Sequence, residues 1–310
     1  MAGRGQASRT YPAVVKYLQD QKQNAEFVVP ASEAEFRAAA IEGAEKKYGT
    51  LVALGGDGAF HQLVESCLGF DVNFGLIPAG SGNDIAMALG LSRDPIEAAH
   101  NLIRGAVTRI DVVRVRLQGA GDLGISDQPE EKIFVGVGGV GLDAEAAQLA
   151  NTRFRRWPGA FRYILGALSA RRHGGSLEVA AEIDGEKWEG RVMFAAVANG
   201  PRYGAGIQIA ADARVDDGYL DAVFVSEVTL SRLIEAIPIV MQGAIRWPEA
   251  KRFRGRAVKI HTNRGALVHG DGEILGCAPA EFEIIPGAIR VIVPASVGST
   301  STSSFFLASE

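Results

Sequence analysis

The sequence predicts a chain of two classes in series: an N-terminal α/β region on a mostly parallel sheet, then a C-terminal antiparallel β region of sandwich or barrel type. Three observations carry this. Apolar strand-like runs alternate with helical patterns up to about residue 108, which is the signature of a parallel sheet covered on both faces. From Arg109 onward, strand-like segments follow one another with few helices between them. Glycine-rich turns also follow two of the early apolar runs, where ligands of open α/β sheets bind.

From Tyr11 to about Gln23 the spacing of Val14, Val15 and Leu18 fits an amphipathic helix, and "AEFVV" reads as a short strand. "SEAEFRAAAIEGAEKKYG" is a helix with Ser32 as N-cap and Gly49 near its end. "TLVAL" is a buried strand, "AFHQLVESCLG" a helix, "FGLIP" a strand and "NDIAMALGL" a helix. The second region reads as the strands "RIDVVRVRL", "EKIFVGVGGVG", "SLEVAAEIDG", "EGRVMFAAVANG", "GYLDAVFVSE", "AVKIHT", "ALVHGDGEI" and "AEFEIIPGAIRVIVP". Expected boundaries are therefore 1–108 and 109–294, with a loop "QGAGDLGISDQPEE" and a tail 295–310 that is mobile or returns to the N-terminal region.

With 310 residues, 47% hydrophobic and 22% charged, the chain is an ordinary folded protein, neither disordered nor collagen-like. A net charge of −4 argues against nucleic-acid binding through bulk electrostatics. Cys67 and Cys277 have no ligand spacing around them and read as reduced thiols of a cytoplasmic protein. No apolar run approaches the roughly 20 residues of a spanning helix, and no signal-peptide pattern occurs, so the protein is expected to be soluble or peripheral.

In "LVALGGDGAFHQLV" three glycines surround Asp57 between a strand and a helix. Free N–H groups at such a helix start attract phosphate oxygens, and an aspartate beside them implies a divalent cation between it and the phosphate. "LIPAGSGNDIAMALGL" repeats the design, with Gly80 and Gly82 flanking Ser81 and with Asn83 and Asp84 opening a helix. A tight turn and an N-cap are the plain alternatives for each. Neither is a Walker loop or a dinucleotide fingerprint. In "LVHGDGEILG", Asp271 and Glu273 fall on one face if the segment is a strand; the alternative is an Asp-Gly hairpin turn with an exposed glutamate.

"GGDG", "PAGSGND" and "GDGE", in this order and at these separations, resemble the diacylglycerol kinase catalytic family of lipid kinases, with sphingosine and ceramide kinases as relatives. The resemblance covers nearly the whole chain. It implies a nucleotide-binding α/β domain followed by a β-sandwich domain, a cleft between them as active site, and transfer of the γ-phosphoryl of ATP to a lipid hydroxyl with magnesium. By position, Gly55, Gly56, Asp57, Gly58, Ala59, Phe60 and His61 would form one ATP-binding turn and Ser81, Gly82 and Asn83 the other. Asp57 and Asp84 would organise magnesium, and Glu273, with Asp271 as carboxylate partner, would be the general base. In "ARVDDGYLD" the resemblance implies a second, structural magnesium on the Asp217 side chain and the carbonyls of Arg214 and Tyr219.

The stretch "NTRFRRWPGAFRYILGALSARRHGG" interleaves arginines with aromatic residues and suits an anionic membrane edge, or else is an ordinary helix with one solvated face. The expected partners are thus a lipid substrate and an anionic membrane surface, no nucleic acid, with a homodimer left open. The family's opening strand and Asn-Pro turn have no counterpart before Gly3-Arg4-Gly5, which would expose a sheet edge and implies a natural start upstream of Met1. Ala59, His61 and Gln62 stand where the family has threonine, asparagine and glutamate, and Ser81 replaces a threonine. A kinase of NAD type and a non-catalytic nucleotide- or lipid-binding protein are the competing readings.

Overall fold

In a computed structural model, residues 6–117, 130–154, 157, 165–166, 169, 176–204, 206–227, 229, 235 and 250–295 are described, together with the backbone of 305–309. The chain divides into two compact units, Met1–Ile110 with Gly287–Glu310, and Asp111–Pro286. Most of the loop after Leu117 and most of the arginine-aromatic stretch after Asn151 lie outside the described residues.

In the first unit, α1 (Gln6–Asp20), β1 (Ala25–Val28), α2 (Glu33–Glu45), β2 (Thr50–Gly55), α3 (Asp57–Cys67), β3 (Asn73–Pro78), α4 (Asp84–Ala88) and α5 (Pro95–Arg104) follow in order. The helix α1 starts earlier than its apolar spacing predicts, because Ala7 is buried with Val14 and Leu18 in the core. Ser32 caps α2 as expected, accepting from the Glu35 amide at 3.2 Å. No helix was expected at α5, yet its start carries an Asp-Pro signal: Asp94 accepts the Ile96 and Glu97 amides at 2.8 and 2.9 Å, and Pro95 opens the helix.

The strands β2 and β3 pair in parallel, fully in register from Thr50↔Asn73 to Gly55↔Pro78. Apolar residues of α1 and α5 share one cluster with Val52, Leu54 and Ile77, while α2 packs on α3 and α3 on β2. The last strand, β18 (Phe305–Ser309), lies between β1 and β2 and is parallel to both. The tail therefore returns to the first unit, where the chain's own C-terminal strand lies beside β2.

The second unit contains most of β4 (Ala106–Leu117), then β5 (Glu130–Phe134), β6 (Val137–Gly141), α6 (Leu142–Asn151), β7 (Leu177–Ile183), β8 (Glu186–Val192), β9 (Phe194–Ala198), β10 (Arg202–Tyr203), β11 (Ile207–Gln208), β12 (Leu220–Val225), β13 (Ala250–Gly255), β14 (Ala257–Thr262), β15 (Leu267–Gly270), β16 (Glu273–Cys277) and the first half of β17 (Ala280–Val293). The strand β17 begins here against β14 and ends in the first unit against β3.

One antiparallel sheet of this unit has the order β13-β12-β9-β6-β15-β16; in the other, β14 joins β17 to the β7–β8 hairpin and β4 pairs with β17 and β5. Their inner faces share one core containing Val113, Phe134, Val179, Val197, Phe224, Val258, Val268 and Phe282, which makes the unit a sandwich. Strand β9 is buried on both faces. Ala195 and Val197 enter the sandwich core, whereas Phe194, Ala196 and Ala198 enter a second cluster with Leu142 of α6, as the period of two requires. The run "EGRVMFAAVANG", expected as one strand, is split between β8 and β9, and "EKIFVGVGGVG" between β5 and β6. Unbroken apolarity in a strand buried on both sides hides such a break.

Candidate active site

The two glycine turns of the first unit touch each other through their backbones. Strand β2 ends at Gly55, Gly56 is the extended N-cap residue of α3, and the Ala79 amide donates to the Gly55 carbonyl at 2.8 Å. A Cβ on Gly80 would lie 2.4 Å from the Gly56 Cα and 2.8 Å from Asn83 Oδ1, so no larger residue fits there. Asn83 sits at φ 58°, and its side chain zips the loop in both directions. Its Oδ1 accepts from Gly80 N at 2.9 Å, and its Nδ2 donates to Gly80 O at 3.0 Å.

Asp57 joins the turns. Its Oδ2 accepts from Asp84 N at 3.1 Å and its Oδ1 from Ile85 N at 2.9 Å, so the first residue of α3 caps the start of α4. Gly56, Asp57, Gly58, Gly80 and Gly82 are half-buried and Ser81 is exposed, so the rim of the two turns is open to a ligand. Ala59, Phe60, His61 and Gln62 point inward and are buried. At the start of α3 the Asp57 carboxylate and backbone groups remain to meet a ligand, and the Phe60 amide already donates to Gly56 O. This arrangement fits a nucleotide, since half-buried glycines in both turns leave backbone uncovered at the rim beside the start of α3. It fits magnesium as well, because two neighbouring carboxylates are what this ion commonly takes from protein when phosphates supply the rest. Among the described residues no cluster of three or more metal-binding side chains occurs.

In the second unit, Asp271 and Glu273 do not lie on one face of a strand. Gly270 pairs with Glu273, while Asp271 and Gly272 form a two-residue turn at φ 52° and 89°. Both central residues with positive φ are the mark of a type I′ hairpin, for which Asp-Gly is a favoured pair. Turn chemistry therefore overrides the period-two reading. The Asp271 carboxylate is held by backbone: Val135 N donates to Oδ2 at 2.8 Å and Gly136 N to Oδ1 at 2.7 Å. Glu273, at the first position of β16, is exposed.

Four residues that sequence reasoning missed belong to the same neighbourhood. Asp111 is 2% exposed and its Oδ2 accepts from Gly218 N at 2.7 Å. Asn199 is fully buried and donates to the carbonyls of Val135 and Asp111 at 2.7 and 3.2 Å. His269 and Asp143, both buried, form a pair at 3.2 Å, with the Tyr203 ring stacked on the imidazole at 6.1 Å. Burial, with Asp143 adding to it, raises the Tyr203 hydroxyl well above the usual tyrosine range and keeps it protonated. The signals in sequence were polar residues inside apolar strands, at "RIDVV", "VANG" and "LVHG".

At the Asp217 turn, Oδ2 takes the Arg254 guanidinium at 2.5 Å and Oδ1 the Tyr219 amide at 3.1 Å. Arg254 also lies over the Tyr219 ring, and Arg214 pairs with Asp216. The positive partner of this carboxylate in the structure is Arg254.

Comparison with known proteins agrees with this anatomy. Residues 1–115 match the model of the diacylglycerol kinase catalytic domain, and residues 136–293 match the YegS C-terminal NAD kinase beta sandwich-like domain. A diacylglycerol kinase of Mycobacterium tuberculosis (strain ATCC 25618 / H37Rv) is 28% identical over 298 residues, 95% of this chain and 93% of the relative. A diacylglycerol kinase of Bacillus subtilis (strain 168) is 26% identical over 260 residues, 83% of this chain and 81% of the relative. A crystal structure of a diacylglycerol kinase from Bacillus anthracis str. Sterne superposes with a TM-score of 0.63 at 18% identity, covering 87% of this chain and 85% of that one. With its glycine turns in a matched catalytic domain and its Asp-Gly-Glu hairpin in a matched sandwich, the chain belongs to the diacylglycerol kinase catalytic family and is a lipid kinase.

Proposed function

We propose that the chain transfers the γ-phosphoryl of ATP to the free hydroxyl of diacylglycerol, producing phosphatidic acid and ADP. The observation that carries this reading is the Asp57 bridge, which holds two glycine turns in backbone contact with their glycines half-buried at an open rim where a phosphate can meet backbone. Gly55 to Gly58 and Ser81 to Asn83 bind the triphosphate, and Asp57 and Asp84 are the protein's oxygen donors to magnesium. When bound, magnesium neutralises charge developing on the transferring phosphoryl group.

Glu273, exposed at the start of β16, acts as the base. Asp271 has each carboxylate oxygen engaged by an amide and so positions the turn. As the acceptor oxygen bonds to the γ-phosphorus, the bond from that phosphorus to the bridging oxygen of ADP breaks. The hydroxyl proton passes to Glu273. None of the described helices is long and apolar enough to cross a membrane. The acceptor is membrane-resident, so the enzyme works at a membrane surface; the arginine-aromatic stretch after Asn151, with Trp157 52% exposed, supports that contact.

The test is phosphate transfer from γ-labelled ATP with magnesium to mixed micelles of diacylglycerol, ceramide or sphingosine, with NAD alongside. Label in phosphatidic acid is expected. Label in another lipid refutes the acceptor, and label in NAD alone refutes the lipid reading.

A further inference from the structure

We propose that helix α6 clamps the hairpin bearing Glu273, with Asn151 as the positioning residue that orients the Gly272–Glu273 peptide. This rests on the reading of Glu273 as base. Asn151, at the last position of α6, donates from Nδ2 to the carbonyl of Gly272 at 2.8 Å across 121 residues of sequence. That carbonyl belongs to the same planar peptide group as the Glu273 nitrogen. Holding it therefore sets the direction in which the Glu273 Cα–Cβ bond leaves the backbone.

The opposite end of α6 grips the same hairpin. Asp143, in its first turn, pairs through Oδ2 with His269 Nε2 at 3.2 Å, two residues before Asp271 on β15. Its Oδ1 accepts from Ala144 N at 2.8 Å. A Cβ on Gly139 would lie 2.3 Å from Asp143 Oδ2, so glycine there leaves the room for this buried pair. The helix packs on β6, β15 and β16 between the two grips.

The third hold is on Asp271, whose carboxylate takes the Val135 and Gly136 amides and whose own amide donates to Val137 O at 3.0 Å. Among the described residues strand β16 is at the edge of its sheet and has β15 alone as neighbour. A two-residue turn at such an edge is a place where backbone opens easily. Three holds from outside the hairpin close it down, while Glu273 keeps an exposed side chain. A base must be placed to within a fraction of an ångström of its proton, and a misplacement of about 1 Å costs on the order of 10²-fold.

The experiment is a double-mutant cycle on the full-length enzyme with diacylglycerol micelles. Asn151→Asp keeps the shape and exchanges the donor for an acceptor facing the carbonyl. It is expected to lower kcat by roughly 10- to 100-fold with KM for ATP unchanged, and Asn151→Gln to restore part of the loss. In a Glu273→Gln background the same change is expected to cost little, because a positioning residue has nothing left to position. An undiminished kcat in Asn151→Asp, or an equal loss in both backgrounds, overturns the proposal. Amide exchange of residues 267–277 provides a readout independent of activity and is expected to quicken in Asn151→Asp. If the wild type phosphorylates no lipid, the kinase reading has failed, and unchanged exchange then overturns the clamp by itself.

Discussion

Gly80 and Asp57 show how single residues shape the nucleotide turns. Because a Cβ at position 80 meets the Gly56 Cα at 2.4 Å, Gly80→Ala must push two backbones apart. We expect a loss of about 1–3 kcal/mol in stability, read as a lower denaturation midpoint, and weaker ATP binding by calorimetry. Asp57→Asn keeps the shape but loses the charge that two α4 amides share and that magnesium requires. It is expected to lower turnover by about 10²-fold or more. Full turnover in Asp57→Asn would remove that residue from the site.

Asp221 makes a separate prediction about pH. Burial raises its carboxyl above the ordinary aspartate value, although Arg254 opposes this, and Oδ2 is buried with no hydrogen-bond partner among the described residues. The folded state thus holds a proton that the unfolded chain releases at lower pH. This group's contribution to stability falls as pH rises from the ordinary aspartate value to the raised one. Asp221→Asn is expected to raise the melting temperature at neutral pH and to leave it unchanged near pH 3, where both forms are neutral. A neutral-pH melt equal to the wild type's would contradict this. Cys67, pushed by burial up to about 11, is expected to resist alkylation in the folded protein.

Among the elements, β18 is the one with most at stake. Strand β1 pairs with no strand but β18 among the described residues, and β18 also covers the edge of β2. Ending the chain after Ala295 is expected to lower the melting temperature and to release the amides of β1 and β2 to exchange, with the β7–β8 hairpin unaffected. Unchanged protection in β1 would mean that β18 does not hold it. The sequence shows which elements are legible and which are not. Strands β2 and β3 and helices α2 and α3 were plain because apolar runs, caps and glycines agreed on them. Strand β18 was obscured because a run such as "SSFFLASE" does not reveal which sheet will accept it. Helix α6 was missed because its alanine-rich apolar pattern adjoins the glycine-rich β6 without a capping side chain.

For the molecule as a whole, the order of three short motifs was enough to read the family and the sandwich. Which carboxylate is held by backbone and which is exposed was not readable. Asp271 and Glu273 look equivalent in "GDGE", and the difference between them comes from the positive φ at Asp271 and from amides more than 130 residues earlier in the chain. Asp111 and Asn199 were hidden for a similar reason, since a buried polar residue is recognised by its partners rather than by its neighbours in sequence.

The central claim is that Glu273 removes the proton from a lipid hydroxyl as phosphate leaves ATP held by the glycine turns. Its most direct test is single-turnover transfer from ATP to diacylglycerol by the wild type and by Glu273→Gln, at saturating magnesium and matched ATP occupancy. The account predicts a rate lower by roughly 10²- to 10⁴-fold in the variant, with ATP binding intact. An equal rate in the two proteins would contradict it.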